Sequence, residues 1–446
     1  MKKQYPFILL FILSVFGAQA QLSGLPDLSS LGVPLDSTQI ISGILTPNPT
    51  GERYKDPIFS SVIVTSGIPF GVAPAVFDTL QTPIPAYPLA MDVYQPLGDV
   101  LNPETRPVIV FAFGGAFIYG ARVSPDIVQL CTRFAQLGYV TVSIDYRLSD
   151  ELLLNPSPVI AMRAVGKGMH DMKASIRFLR MQEDVLANVL NINTDKIYVG
   201  GVSAGGFAAL HTAYLDRIEE LPEEFIEPLE KMGGIEGNSG HPGYSSEVAA
   251  CINLCGALGK KEWLEPGDVP LVSMHGDKDG TVPYDSDTIR VLDINYPVDG
   301  SAAIHRRAND IGVHNDFYTF VGAGHTPFIL PNLITESERA YMDTTFEFVR
   351  DFMFGVVTGS SAVGVGENDV DFDYSLSPNP VNEVLHLELN SGLVSSVQIF
   401  ALDGKEMFSS SFNTAIDIDV SEFAKGNYAI RVENENGYST QQFMVK

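Results

Sequence analysis

Cysteine is scarce, with three in 446 residues, which excludes a scaffold stapled by disulfides. Cationic side chains are scarce too. The 28 Lys and Arg stand against 54 Asp and Glu, a net charge of −26 at pH 7. Such a chain repels phosphate backbones and the anionic face of a membrane, so a nucleic-acid partner is excluded. No apolar run reaches the roughly 20 residues that a membrane-spanning helix needs, and no transmembrane anchor is expected. H-E-x-x-H and cysteine–histidine ligand spacings are missing, as is G-x-G-x-x-G, so neither a metal nor an organic cofactor is expected. What is present is core-forming: 45% hydrophobic and 18% charged residues. At about 100–200 residues per domain the length predicts two or three domains.

Lys2 and Lys3 precede the apolar run FILLFILSVF (7–16) and the small-residue site Ala18-Gln19-Ala20. That layout predicts a secretory signal peptide over residues 1–20. Residue 21 is Gln, so the cysteine acceptor of a lipoprotein anchor is missing. Cys251 and Cys255 lie four positions apart in an apolar run that reads as a strand. Their Cα atoms would stand about 13 Å apart, too far for a disulfide. Either could pair with Cys131, or all three are small core residues, the favoured reading.

From about residue 60 to 350, short β-rich runs alternate with helical patterns. VIVFAF (108–113), YVTVSI (139–144), IYVGG (197–201), VAACINL (248–254), PLVSMHG (270–276) and DFYTFVG (316–322) are nearly continuous apolar runs. Strands buried on both faces of a mostly parallel sheet read this way. SVIVTSG (61–67) and LAMDVYQP (89–96) are expected as antiparallel edge strands, and the last helix is expected to close near Phe354. The fold class is therefore a doubly wound α/β domain, residues 21–356. A small, acidic stretch without periodicity (357–374) predicts a linker. Beyond it VLHLEL, VQIFAL, AIDIDV, YAIRVE and STQQFMV alternate with turn signals, predicting a small all-β sandwich over 375–446.

Gly201-Val202-Ser203-Ala204-Gly205 falls between a strand and a helix. In that context G-x-S-x-G is a nucleophile elbow, a sharp turn whose flanking glycines let the backbones approach. A dinucleotide loop fits poorly, because several strands precede it and the glycine spacing differs. An acyl-transfer serine needs a base and a group to orient it. His325, in VGAGHTPF after the last strand, can return over the sheet edge. His275 more readily holds its own loop, His170 and His211 sit in helices, His386 is in the β tail, and His241, His305 and His314 lie in loop-like segments. HGDKDGTVPY offers Asp277 and Asp279 as the acid, one of the two serving as a turn cap. The loop FAFGGAFIYG supplies amides at Gly114, Gly115 and Ala116 for an oxyanion, joined by that of Ala204.

FGGAF, IDYRL (144–148), GVSAGG, HGDKDGTVP and GAGH together resemble the α/β-hydrolase superfamily, and within it carboxylesterases and lipases of the HGGG/GGGX type. The resemblance covers residues 60–350. It implies Ser203 as nucleophile, His325 as base and Asp279, at the fifth position of the HGxxD turn, as acid. It implies an oxyanion hole of Gly115, Ala116 and Ala204. Phe113 stands where many members carry histidine, and Val202 where many esterases carry glutamate. The tail SLSPNPVNEVLHLEL with VQIFALDGKEMFSS and DVSEFAKGNYAIRVENENG resembles a type IX secretion sorting domain, residues 375–446. It implies export across an outer membrane with that secretion machinery as partner, to a secreted or cell-surface location.

The expectation is a secreted serine carboxylic-ester hydrolase without cofactor, working through an acyl-enzyme on a small-molecule or polysaccharide-linked ester, acetyl or feruloyl. A serine peptidase of the same fold and a non-enzymatic adhesion protein are the alternatives. Residues 221–246 are a candidate cap or pocket wall.

Overall fold

The computed structural model describes residues 37–359 except 75, 78–82, 100–103, 292–293 and 330–335, and residues 374–446 except 390–394, 402–405 and 435–436. The expected signal peptide, and the expected linker from residue 360 to 373, lie outside the described residues. The chain divides into two compact units, residues 1–360 and 361–446.

The first unit is built on nine strands: β1 Thr38–Ser42, β2 Ser61–Ala73, β3 Tyr87–Pro96, β4 Arg106–Ala112, β5 Val140–Ile144, β6 Ile192–Val202, β7 Ala250–Leu254, β8 Leu271–Gly276 and β9 Asn315–Phe320. They form one sheet in the order β1-β2-β3-β5-β4-β6-β7-β8-β9. From β5 to β9 every pairing is parallel, whereas β1, β2 and β3 join antiparallel. In β4, β5, β7 and β8 every residue is buried, as continuous Val/Ile/Leu-rich runs require when helices cover both faces. This is the α/β-hydrolase architecture.

The helices around the sheet include α1 Pro125–Gln136, α2 Asp150–Leu154, α3 Pro158–Val185, α4 Ala204–Tyr214, α5 Glu223–Glu230, α6 Ser301–Ile311 and α7 Glu336–Thr358. Two of them begin on serine caps: Ser149 Oγ accepts from Leu152 N and Ser157 Oγ from Ile160 N. Among the described residues no helix is long and apolar enough to cross a membrane.

Several expectations need correction. The runs 61–67 and 89–96 are not edges, because TQIIS at 38–42 adds outside them; five half-exposed residues carry too little apolar pattern to announce a strand. His305 is helical, in α6, and bonds Asn315. The last helix continues past Phe354 to Thr358 because Val357 still packs on the core. A second antiparallel sheet of Ala257–Leu258, Ser286–Val291 and Ile294–Gly300 was not among the expected strands. All three cysteines are buried and free, Cys131 in α1 and Cys251 in β7.

The second unit pairs β10 Tyr374–Ser377, β11 Val384–Leu389 and β14 Ala415–Asp419 in one antiparallel sheet. Another holds β13 Glu406–Phe412, β12 Ser395–Ala401, β15 Gly426–Asn434 and β16 Gly437–Val445. In β11, Leu385, Leu387 and Leu389 face inward while the residues between them are more exposed. Period-2 alternation of this kind gives the β-sandwich its own core, with Val397, Ile399, Ile430 and Phe443.

Candidate active site

Ser203 joins the end of β6 to the start of α4 with φ 53° and ψ −115°, a backbone state that a side chain other than glycine's adopts only under constraint. The constraint is visible on both sides. A Cβ at Gly201 would stand 2.2 Å from the Gly205 carbonyl carbon, and one at Gly205 would stand 2.1 Å from the Ala112 carbonyl oxygen. Ser203 N donates to Leu254 O at 2.8 Å, and Phe207 N donates to Ser203 O at 3.0 Å, opening the helix. The side chain is thereby held at the carboxyl edge of the sheet above the amino end of α4.

His325 follows β9 in a loop that turns back over that edge. Its Nε2 lies 2.8 Å from Ser203 Oγ and its Nδ1 lies 2.6 Å from Asp279 Oδ2. The histidine side chain is 19% exposed and that of Asp279 fully buried, so one end of the chain of bonds is open and the other is sealed. Burial alone would raise the Asp279 carboxyl. Hydrogen bonds from His275, His325 and the Thr281 amide outweigh it and hold the group well below the ordinary carboxylate range.

The two aspartates of HGDKDG divide the work. Asp277 Oδ1 accepts from Gly322 N at 2.6 Å and so pins the loop that carries His325. Asp279 Oδ1 accepts from Thr281 N and Val282 N at 2.7 and 2.9 Å, which leaves Oδ2 for the histidines. Gly276 lets the two loops meet, since a Cβ there would lie 2.4 Å from Ala323 O.

The glycine loop lies against the serine: a Cβ on Gly114 would stand 3.4 Å from Ser203 Cβ. The next three residues have positive φ, 132° at Gly115, 52° at Ala116 and 61° at Phe117, and Ile118 N and Tyr119 N both return to Gly115 O. Gly115, Ala116 and Ala204 thus occupy the two segments that flank Ser203.

The residues of IDYRL hold the segments around the serine in place. Tyr146 donates through its hydroxyl to Phe113 O at 2.9 Å, and its ring stacks on Phe113 with centroids 4.3 Å apart. Tyr146 thereby holds the glycine loop through Phe113. Asp145 and Asp92 both pair with Arg122 at the far end of the same loop. Arg147 pairs with buried Asp171, and Ser239 bonds both. The available signal was three polar residues directly after an apolar strand, but their partners are distant in sequence.

Residues 221–246 contain α5 and a run of turns tied down at several points. Glu236 pairs with Lys173 and Arg177 of α3, Ser239 O accepts from Val72 N, and His241 Nε2 lies 2.8 Å from Phe70 O. The other histidines serve structure: His170 and His211 are buried in helices against backbone carbonyls, and His386 bonds Asp417. Among the described residues no cluster of His, Cys, Asp and Glu could hold a metal ion.

The family model BD-FAE matches residues 91–258, and that of the secretion system C-terminal sorting domain matches residues 375–446. Lipase 1 of Geotrichum candidum is 29% identical over 126 residues, which is 28% of this chain and 21% of the lipase. The non-reducing polyketide synthase atr1 of Stereocaulon alpinum is 32% identical over 136 residues, 30% of this chain and 5% of the synthase. The chain thus spans about a fifth or less of these relatives. The apo form of Thermogutta terrifontis esterase 2 is 23% identical with a TM-score of 0.43, covering 60% of this chain and 90% of that one. The chain therefore carries a BD-FAE α/β-hydrolase domain and, over residues 375–446, a type IX secretion system sorting domain.

Proposed function

We propose that the protein is an exported serine carboxylic-ester hydrolase. The observation that carries this reading is the unbroken run of hydrogen bonds from Ser203 Oγ through His325 to buried Asp279, set on a strained strand-to-helix turn. His325 Nε2 takes the proton as Ser203 Oγ attacks the ester carbonyl, and Asp279 balances the imidazolium that forms. The oxyanion meets the amides of Gly115, Ala116 and Ala204, with the amino end of α4 adding its dipole. The proton then passes to the departing alcohol, leaving an acyl-enzyme on Ser203. Water, deprotonated by the same imidazole, releases the acid and restores the serine.

The sorting domain directs the chain to the secretion system, so its substrates are met outside the cell. Acetyl or feruloyl groups on plant or other polysaccharides are the proposed esters. The test is a screen of p-nitrophenyl esters, acetylated and feruloylated sugars and peptide amides with the wild type and Ser203→Ala. Ester turnover that falls by about 10⁴-fold or more in a folded Ser203→Ala protein is expected. Turnover of amides and not esters would instead identify a peptidase. Ester turnover unchanged by the substitution would overturn the mechanism.

A further inference from the structure

A second histidine bonds the Asp279 carboxylate. His275, near the end of β8, is fully buried, and its Nε2 lies 3.0 Å from Asp279 Oδ2, the same oxygen that His325 Nδ1 approaches at 2.6 Å. Nε2 also lies 3.3 Å from Val282 O. A carboxylate and a carbonyl can only accept, so the ring nitrogen between them must carry a proton.

The other ring nitrogen faces a buried polar network. Gly256 N can only donate, and it meets Asn253 Oδ1 at 2.8 Å, which fixes which end of that amide is oxygen. Asn253 Nδ2 then donates to Ser301 Oγ at 2.9 Å and to Ser273 Oγ at 3.2 Å. Ser301 Oγ, accepting from Asn253 Nδ2, keeps its own hydrogen, and His275 Nδ1 lies 2.8 Å away where it can receive it. With Nδ1 accepting that hydrogen, the ring carries its one proton on Nε2. Asn253, Ser273, His275 and Ser301 are all buried, so water does not compete for these bonds. A buried network whose members are all satisfied is rigid.

Two histidine nitrogens on Oδ2 leave it little freedom to rotate, while Thr281 N and Val282 N hold Oδ1. We infer that His275 is a positioning residue for the proposed hydrolysis, kept as the neutral Nε2–H tautomer by Asn253 and Ser301, and that it fixes the Asp279 oxygen on which His325 is oriented. The inference rests on the reading of Ser203, His325 and Asp279 as the catalytic relay, but its first test does not.

That test is the tautomer itself, read in the full chain at pH 7 from ¹⁵N shifts of histidine-labelled protein, with the His275 signal identified by its loss in His275→Gln. A protonated Nε2 with an unprotonated Nδ1 is expected. A protonated Nδ1 would overturn the inference whatever the activity proves to be. The second test is kinetic, on a soluble p-nitrophenyl ester. His275→Leu should lower kcat by roughly ten- to a hundredfold, the worth of a hydrogen bond to a charged group, and Ser301→Ala, which removes a bond between neutral groups, by roughly three- to tenfold, each with KM within about threefold of wild type. His275→Gln, whose amide can still donate to Asp279, should recover most of the kcat lost in His275→Leu. Wild-type kcat in a folded His275→Leu or Ser301→Ala protein would overturn the positioning role. A Gln variant as slow as the Leu variant would mean that ring shape and not the donor matters. If the Leu variant does not fold, Ser301→Ala and the tautomer decide the question.

Discussion

The Cα of Gly205 sits so close to Ala112 that a methyl group added there would meet the Ala112 carbonyl oxygen at 2.1 Å. This contact locks the elbow: β4 lies against the start of α4, and the turn bearing Ser203 has nowhere else to go. Gly205→Ala should therefore cost about 1–3 kcal/mol, the usual toll of overpacking. It should also displace Ser203 from His325 and lower kcat by more than it lowers Tm would suggest. Thermal melts and ester kinetics on this variant check it. Wild-type stability and activity together would show that the close approach is relieved cheaply.

Asp279→Asn should slow ester hydrolysis far more than Asp277→Asn, since Asp279 meets His325 while Asp277 meets a loop amide. The two should also differ in acid. The Asp279 carboxyl is held below its ordinary value in the folded state, so its ionised form stabilises the fold at any pH above about 3.9, the unfolded value, and that stability drains away as pH falls toward the folded value. The Tm gap between wild type and Asp279→Asn should accordingly be constant near neutrality and narrow below about pH 4. A gap that widens in acid would show that the carboxylate is not stabilised in the fold. Slower kinetics for Asp277→Asn than for Asp279→Asn would exchange their roles.

Tyr146 reaches Phe113 O through one hydroxyl and supports the loop with its ring. Tyr146→Phe keeps the ring and removes the donor, leaving a buried carbonyl unpaired at a cost of about 1–3 kcal/mol. Because that carbonyl belongs to the loop carrying Gly115 and Ala116, kcat should fall roughly tenfold with KM little changed. A change in KM alone would place Tyr146 in substrate binding instead of loop support.

What the sequence revealed follows from what is local. The elbow reads from five adjacent residues because its steric requirement is met within them. His325 and Asp279 read from turn motifs at strand ends, and the parallel strands read from continuous apolar runs. The rest depends on pairing at a distance. Asn253 and Ser301 look like any buried polar residues until β7 and α6 place their side chains together, 48 positions apart in the chain. Tyr146 acquires its task from Phe113, and Glu236 from α3, in the same way. The three-stranded sheet around 286–300 escaped because its alternation is short, Ile289 and Val291 in one strand and Ile294, Tyr296 and Val298 in the next, and Pro297 interrupts the second run.

Residues 21–359 alone should hydrolyse soluble esters as fast as the full chain, while the same deletion in the native host should stop export. The proposed catalytic groups end at His325, and the last helix of the first unit finishes at Thr358, with Met353 and Val357 buried in that unit's core. The tail has an apolar core of its own, in which Leu385, Leu387, Ile399 and Ile430 are fully buried. The cut is placed after Thr358 because ending the chain at residue 356 would remove Val357 from that core and its carbonyl from Lys196. Measuring kcat/KM for both forms and locating each in host cell fractions tests the two halves separately. A tenfold loss of kcat/KM would mean that the tail shapes the site. Normal delivery without residues 375–446 would mean that the sorting signal lies elsewhere in the chain.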